Sequence, residues 1–213
     1  STIDGVKSDY MCFFTDENIV YRRVSIDEDQ IDGLFSSVEH SGGCACLSLR
    51  VGSNTTLRAI HGKLVNDAIP ILYSIPPFIF WGFTSIPPGG YWSYPLSVDG
   101  HIFKRERILE FCIELDLLDR YHDQRGVPRA KWSWQQTPNE FESKIQRFYF
   151  ELPPLMACLE ESCVVNSPNN KVQDSHNNVS GLSHNYSAEY LLGKYMGGSR
   201  INLDHLDFSN IQC

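Results

Sequence analysis

The chain has 213 residues, enough for one domain that buries about 70% of its extended-chain surface without a metal or a disulfide. Its 18 Lys and Arg against 26 Asp and Glu give a formal charge of −8, which argues against a phosphate-neutralising nucleic-acid surface and against a polybasic membrane anchor. Hydrophobic residues make up 42% and aromatics 12%, a globular rather than disordered composition.

No charged-then-apolar leader opens the chain. The longest apolar run, 69–83, is interrupted by Pro70, Pro76, Pro77 and Gly82, too broken to span a bilayer. Seven irregularly spaced cysteines read as free thiols of a reduced intracellular protein. Cys12, Cys44, Cys46, Cys112 and Cys158 are expected to be buried, with Cys163 and Cys213 at looser positions. The sequons at Asn54, Asn178 and Asn185 are then accidents of an Asn- and Ser-rich composition.

In chain order, the runs 10–14 and 18–24 predict a hairpin of aromatic and β-branched strands around Thr15-Asp16-Glu17. Ser25 and Glu28 form an S-x-x-E capping box before Ile31, Leu34, Phe35 and Val38 at helical spacing, with Gly42-Gly43 as the stop. The segment 44–51 alternates, placing Cys44 and Cys46 on one face, and 55–61 reads as its antiparallel partner. Six prolines between 69 and 95 predict a packed or subunit-covered loop, since each Pro lacks a ladder donor. The run 108–118 fits both a strand period and a helix period, the former holding for nine residues in succession and so narrowly preferred. Residues 146–152 predict a strand with Phe148 and Phe150 on one face, 166–185 a polar loop, and 187–195 a helix ended by Gly197-Gly198. Ile201, Leu203, Leu206 and Phe208 give the tail enough apolar content to pack.

These elements predict an α+β, mainly β fold: a compact antiparallel β-sandwich with flanking helices and long Pro- and aromatic-rich loops. A single domain over 1–213 is expected, with 76–130 as a long, contact-forming excursion.

Catalytic chemistry finds little support. There is no G-x-S-x-G elbow, and Asp174-Ser175-His176 are too close together to form a triad. Cys44-x-Cys46 lacks further ligands at zinc spacing, His61 and Cys112 being the only vaguely placed candidates. Gly193-Lys194 and Gly197-Gly198-Ser199-Arg200 lack the P-loop spacing and read as a helix end. What stands out is the aromatic load of ten Tyr, twelve Phe and four Trp, much of it in predicted loops. Such residues serve either core packing or protein contacts, being large, rigid and tipped with a polar atom. Trp81, Trp92, Trp132 and Trp134 are the candidate assembly contacts. Tyr73, Tyr91, Tyr94, Tyr186 and Tyr195 are the candidate contacts whose phenols would sense pH.

The string Tyr149-Phe150-Glu151-Leu152-Pro153, followed by a polar Asn/Ser-rich loop, resembles the cypovirus polyhedrins, the occlusion-body proteins of insect viruses. The segments 10–21, 54–70 and 178–185 are similar in order along the chain. The resemblance implies a homotrimer packing into crystals in the host cell cytoplasm, embedding and protecting virus particles and dissolving in alkali, with no enzymatic role, no direct nucleic-acid recognition and no membrane. Some polyhedrins hold nucleotides in the crystal, but no such site can be matched here and no cofactor is expected. The family pattern places a helical arm before the first strand, where this sequence has only residues 1–9; 85–129 has no counterpart in the pattern and could supply the contacts of the arm.

The composition is compatible with alkaline release. Seven Lys charges would be lost and ten Tyr and seven Cys charges gained over a window of about pH 8.5 to 10.4. On this reading phenols at subunit contacts fail first, and the protomer, with a mainly apolar core, need not unfold at the same point. The competing reading is a soluble intracellular binding or inhibitor module whose acidic surface blocks a basic partner. A small thiol or zinc enzyme is the third.

Overall fold

The computed structural model describes residues 8–15, 17–38, 42–60, 63–115, 118–122, 128–132, 138–166, 188–200, 202, 208 and 211–212. The first half contains β1 (Tyr10–Cys12), β2 (Asn18–Val20), α1 (Glu28–Ser37), β3 (Cys44–Ser48), β4 (Thr55–Ile60), β5 (Lys63–Asn66), β6 (Tyr73–Ile75) and β7 (Phe78–Gly82). After 3-10 turns at Phe83–Ser85 and Tyr91–Ser93 come β8 (His101–Lys104), α2 (Arg105–Glu114), β9 (Leu118–His122), β10 (Pro128–Trp132) and α3 (Pro138–Ile145). A 3-10 segment at Gln146–Glu151 leads to β11 (Leu155–Leu159), β12 (Val164–Asn166), α4 (Ala188–Met196) and β13 (Ile211–Gln212).

Cys44-Ala45-Cys46-Leu47-Ser48 contains no charge and is buried at all five positions, as a strand covered on both faces requires. β3 lies in a six-stranded sheet of order β1-β8-β3-β11-β7-β6, parallel to β11, while the other pairs are antiparallel. Alternate residues feed two cores. Trp81, Phe103, Met156 and Cys158 point into one; Phe78, Phe80, Ile102 and Ala157 point into the other. Helices α2 and α3 cover the first with Ile108, Phe111, Phe141 and Ile145, and α1 covers the second with Leu34 and Phe35.

The α+β, mainly β class holds. The sheet is mixed rather than antiparallel, and among the described residues its faces are covered by helices, loops and the short β2–β12 pair rather than by a second large sheet. No helix among them is long and apolar enough to cross a membrane.

Several local expectations are corrected. Strands β1 and β2 form no hairpin: β1 pairs with β8 and β2 with β12, because the Thr15–Asn18 turn sends the chain to a different sheet. The capping box of α1 is built on Asp27 and Gln30, not Ser25 and Glu28, with reciprocal bonds of 2.8 and 3.0 Å. β4 pairs with β5 and β13 instead of β3, both of whose edges are taken by β8 and β11. A register shift between Leu155 and Met156, opposite Cys44 and Cys46, marks a bulge, so these two cysteines line opposite cores rather than one face.

The proline-rich stretch contains an inner strand after all, because its prolines fall outside β7: Pro76 and Pro77 occupy the β6–β7 turn. Over 108–118 the helix period prevails, since Ile108, Phe111 and Cys112 all meet the first core from α2. The expected strand at 146–152 is the 3-10 segment that continues α3, stacking Phe148 on Phe111 at 4.1 Å and leaving Phe150 90% exposed. The region 76–130 is therefore no excursion: β7, β8 and α2 belong to the sheet and its core. The helix expected at 187–195 is present as α4, closed by Gly198 at φ +87°. The polar loop expected at 166–185 lies, but for Asn166, outside the described residues.

This packing predicts that Phe148→Ala lowers stability in urea by about 3–5 kcal/mol. Phe150→Ser should change it by no more than about 0.5 kcal/mol. Equal losses would restore the strand reading, in which both rings share one face.

Candidate functional site

Trp81 and Trp92 are fully buried and pack edge to face at 4.9 Å. The Trp81 indole N–H donates to the Trp92 carbonyl at 2.7 Å, and that of Trp92 to the Thr55 carbonyl at 3.1 Å. Their assignment as assembly contacts is thus corrected: both belong to the core, where the indole donors find partners. Asp67 holds the same loop in place. Its carboxylate accepts from the Tyr91 and Ala68 amides at 3.1 and 2.9 Å and lies 3.5 Å from the Arg58 guanidinium. A Cβ on Gly90 would stand 2.6 Å from that carboxylate, so only glycine fits the turn. Trp134 lies outside the described residues, and Trp132 is described only as the last position of β10.

A polar node closes the exit of β3. Arg50 pairs with Asp99 at 2.9 Å with both side chains largely buried, and its guanidinium lies 5.0 Å from the Tyr91 ring centre. Asp99 also accepts from Thr15 at 3.0 Å and Asn18 at 3.2 Å, tying the β1–β2 connection to the start of β8. Glu142 of α3 accepts from the Val98 amide at 3.1 Å and contacts the Tyr94 phenol. Burial raises the Glu142 carboxyl, and burial together with Glu142 raises the Tyr94 phenol. His101 is buried, lies 3.4 Å through Nδ1 from the Asp99 carbonyl, and meets no partner at Nε2. Burial and then Arg50 lower its imidazole to about 4. These groups staple elements together.

The candidate tyrosines do not form one cluster. Tyr91 and Tyr94 are half-buried at the node, Tyr195 is exposed on α4 beneath Arg200 at 4.1 Å, and Tyr186 lies outside the described residues. Tyr73 lies in β6, among the described residues the open edge of the large sheet, at 61% exposure. With it come Ile69 at 47%, Ile71 at 77% and Ile75 at 56%, an apolar residue at every second position. Tyr73 and Ile75 oppose Phe80 and Phe78 in register and so extend the α1-covered face past the point where its cover ends. Residues 68–98 contain no Asp, Glu, Lys or Arg. That uncharged window is the sequence signal for this edge.

The described cysteines Cys12, Cys44, Cys46, Cys112, Cys158 and Cys163 are free thiols. Cys163, expected at a looser position, is buried against Leu49, whose carbonyl accepts from its amide at 2.7 Å. Burial pushes Cys12, Cys44 and Cys112 up to about 12 and raises Cys46 and Cys158 strongly. No group of three His, Cys, Asp or Glu among the described residues is placed to hold a metal. A groove of about 620 Å³ between β1, β8 and α2 is lined by Asp9, Glu106 and Glu110 as well as Lys104 and Arg105, a poor cradle for phosphate. Compared with known proteins, the chain matches no family model, no curated protein and no solved structure.

Two predictions follow from burial. Asp99→Ala removes the carboxylate that pairs with Arg50 and accepts from Thr15 and Asn18, and should lower stability by about 3–5 kcal/mol in urea. Burial ties the thiols to alkaline behaviour. Their pKa values are raised in the fold, so stability is fully present below the ordinary value of 9.0 and is lost as pH rises above it. With Cys44, Cys46 and Cys158 held protonated in the fold, stability should fall by about 4 kcal/mol per pH unit once the unfolded chain ionises. Unfolding free energy measured from pH 8 to 11 should fall less steeply in Cys46→Ala/Cys158→Ala, by about 3 kcal/mol per pH unit. An unchanged slope would exclude the thiols as the cause.

Proposed function

We propose that the chain is a structural protein that assembles with copies of itself into intracellular particles of the cypovirus polyhedrin kind, housing virus particles in the cytoplasm and releasing them in alkali. The observation that carries this reading is the uncharged apolar edge at β6. This edge has Pro70 and Pro76–Pro77 at its ends, exposed Ile and Tyr between them, and no charged side chain from 68 to 98. α4 adds Tyr190, Leu192, Tyr195 and Met196, all exposed on one short helix. The resemblance around Tyr149–Pro153 gives the assembly its proposed kind. Buried thiols and phenols supply a physical basis for alkaline release, because each must stay protonated for the fold to persist. An inhibitor acting through an acidic surface would not need an uncharged edge.

The test is expression of the full chain in insect cells, with light microscopy for refractile particles, followed by turbidity of washed particles against pH. Particles should form and clear above about pH 9. Cys46→Ala/Cys158→Ala should clear at higher pH than the parent, since two of the buried thiols that ionise once the chain unfolds are gone. A chain that stays diffuse in the cytoplasm at high expression would contradict the proposal.

A further inference from the structure

We propose that residues 208–212 form an exchangeable arm, and that the seat they fill on their own chain accepts the same arm of a second copy. Tyr21 offers a ring on which Phe208 stacks at 4.0 Å, with the two planes 8° apart. Asn54, only 5% exposed, donates through Nδ2 to the Phe208 carbonyl at 2.9 Å. β4 then takes Ile211 and Gln212 as a parallel strand, opposite Thr55 and Leu57. The seat thus reads a ring, a carbonyl and a short ladder in order along one segment, as strand addition at a sheet edge does.

The body holds this seat ready without help from the arm. The Asn54 side chain accepts from the Ser162 amide at 2.9 Å and donates to the Tyr21 hydroxyl at 3.2 Å, and that hydroxyl meets the Ser162 side chain. Gly52 has no room for a Cβ against the Ser162 amide, so the turn before β4 sits flush on 160–162, where the Ser53 amide donates to the Glu160 carbonyl at 2.9 Å. When the arm leaves, a nearly buried amide donor loses its carbonyl and β4 loses a neighbour, so the empty seat favours a segment of the arm's own chemistry. The arm of a second copy has that chemistry and remakes every one of these contacts, which is why exchange of an identical element costs little. About forty residues join the arm to β12, a connection that sets its local concentration at the order of millimolar or below. Copies packed in a particle offer one another arms at comparable concentration. Exchange inside particles rests on the self-assembly reading; the preference of the seat for the arm does not.

The test uses full chains and, in place of the second copy's arm, a fluorescent peptide of residues 204–212 followed by anisotropy. The Phe208→Ala chain, whose own arm is weakened, should bind this peptide at least tenfold more tightly than the parent does, with an unchanged circular dichroism spectrum. A peptide with Phe208→Ala should bind either chain at least tenfold more weakly, a comparison that leaves the fold untouched. Parent copies labelled only in nitrogen are then mixed with parent copies labelled only in carbon, as particles or as a concentrated solution. A magnetic resonance correlation between the Asn54 side-chain nitrogen and the Phe208 carbonyl carbon should appear, because the two atoms then belong to different copies. A peptide that binds neither chain, or binds equally with and without the Phe208 ring, overturns the proposal. Peptide binding with no correlation between copies also overturns it, since the seat then serves its own arm alone. A chain that forms no particles but shows both signals contradicts the self-assembly reading and leaves the exchange standing.

Discussion

The central pair of strands, β3 and β11, is buried on both faces, and the rest of the fold serves that constraint. Neither strand tolerates a charge, so Ala, Leu, Met and Cys fill them, and small thiols take positions where a larger side chain would overpack. Their parallel pairing needs a long crossover, and almost everything between residues 48 and 155 is placed by it. α1 comes before, α2 and α3 between, and β12 after, each covering part of one face. The Arg50–Asp99 pair then fixes where the chain leaves β3 and where β8 returns beside it.

The same constraint links stability to alkali. A core that uses thiols as small apolar groups is sound while they are protonated and becomes unfavourable when the unfolded chain can ionise them. The polar node adds a weaker dependence on the acid side. His101, neutral in the fold, loses stability for the chain as pH falls from 6.5 toward 4, whereas the raised Glu142 carboxyl contributes in the opposite sense, its stabilisation being lost as pH rises. Among the described residues, cover is also what β6 lacks: α1 packs in the same core as Phe78 and Phe80, and the face runs on to the exposed Tyr73 and Ile75.

Local signals in the sequence were legible wherever local chemistry decides the structure. The periodicity of Ile31, Leu34 and Phe35 gave α1, the glycines at 197 and 198 gave the end of α4, and the uncharged alternating run at 44–48 gave β3. Long-range partners decided the rest. Nothing near Tyr10 indicates that Lys104 will be its neighbour, nor near Asn18 that it will pair with Asn166, so two adjacent strands looked like a hairpin. The bulge separating Cys44 from Cys46 is set by β11, more than a hundred residues away. Over 108–118 two periods coexist in the sequence, and only the core waiting for Ile108, Phe111 and Cys112 decides between them. Tryptophans in a proline-rich segment look like contact residues until the backbone carbonyls that accept their indole N–H groups are known. Of the candidate site, Tyr73 was legible as an aromatic in a stiffened segment; its place on an open edge was not.

Hydrogen exchange at β6, followed against protein concentration, bears most directly on the reading of that edge as an assembly surface. Amides of 71–75 that point away from β7 should exchange within seconds in dilute solution and become protected as concentration rises, while those of β3 and β11 stay protected throughout. Fast exchange at 71–75 at every concentration, with assembly nonetheless occurring, would contradict the account.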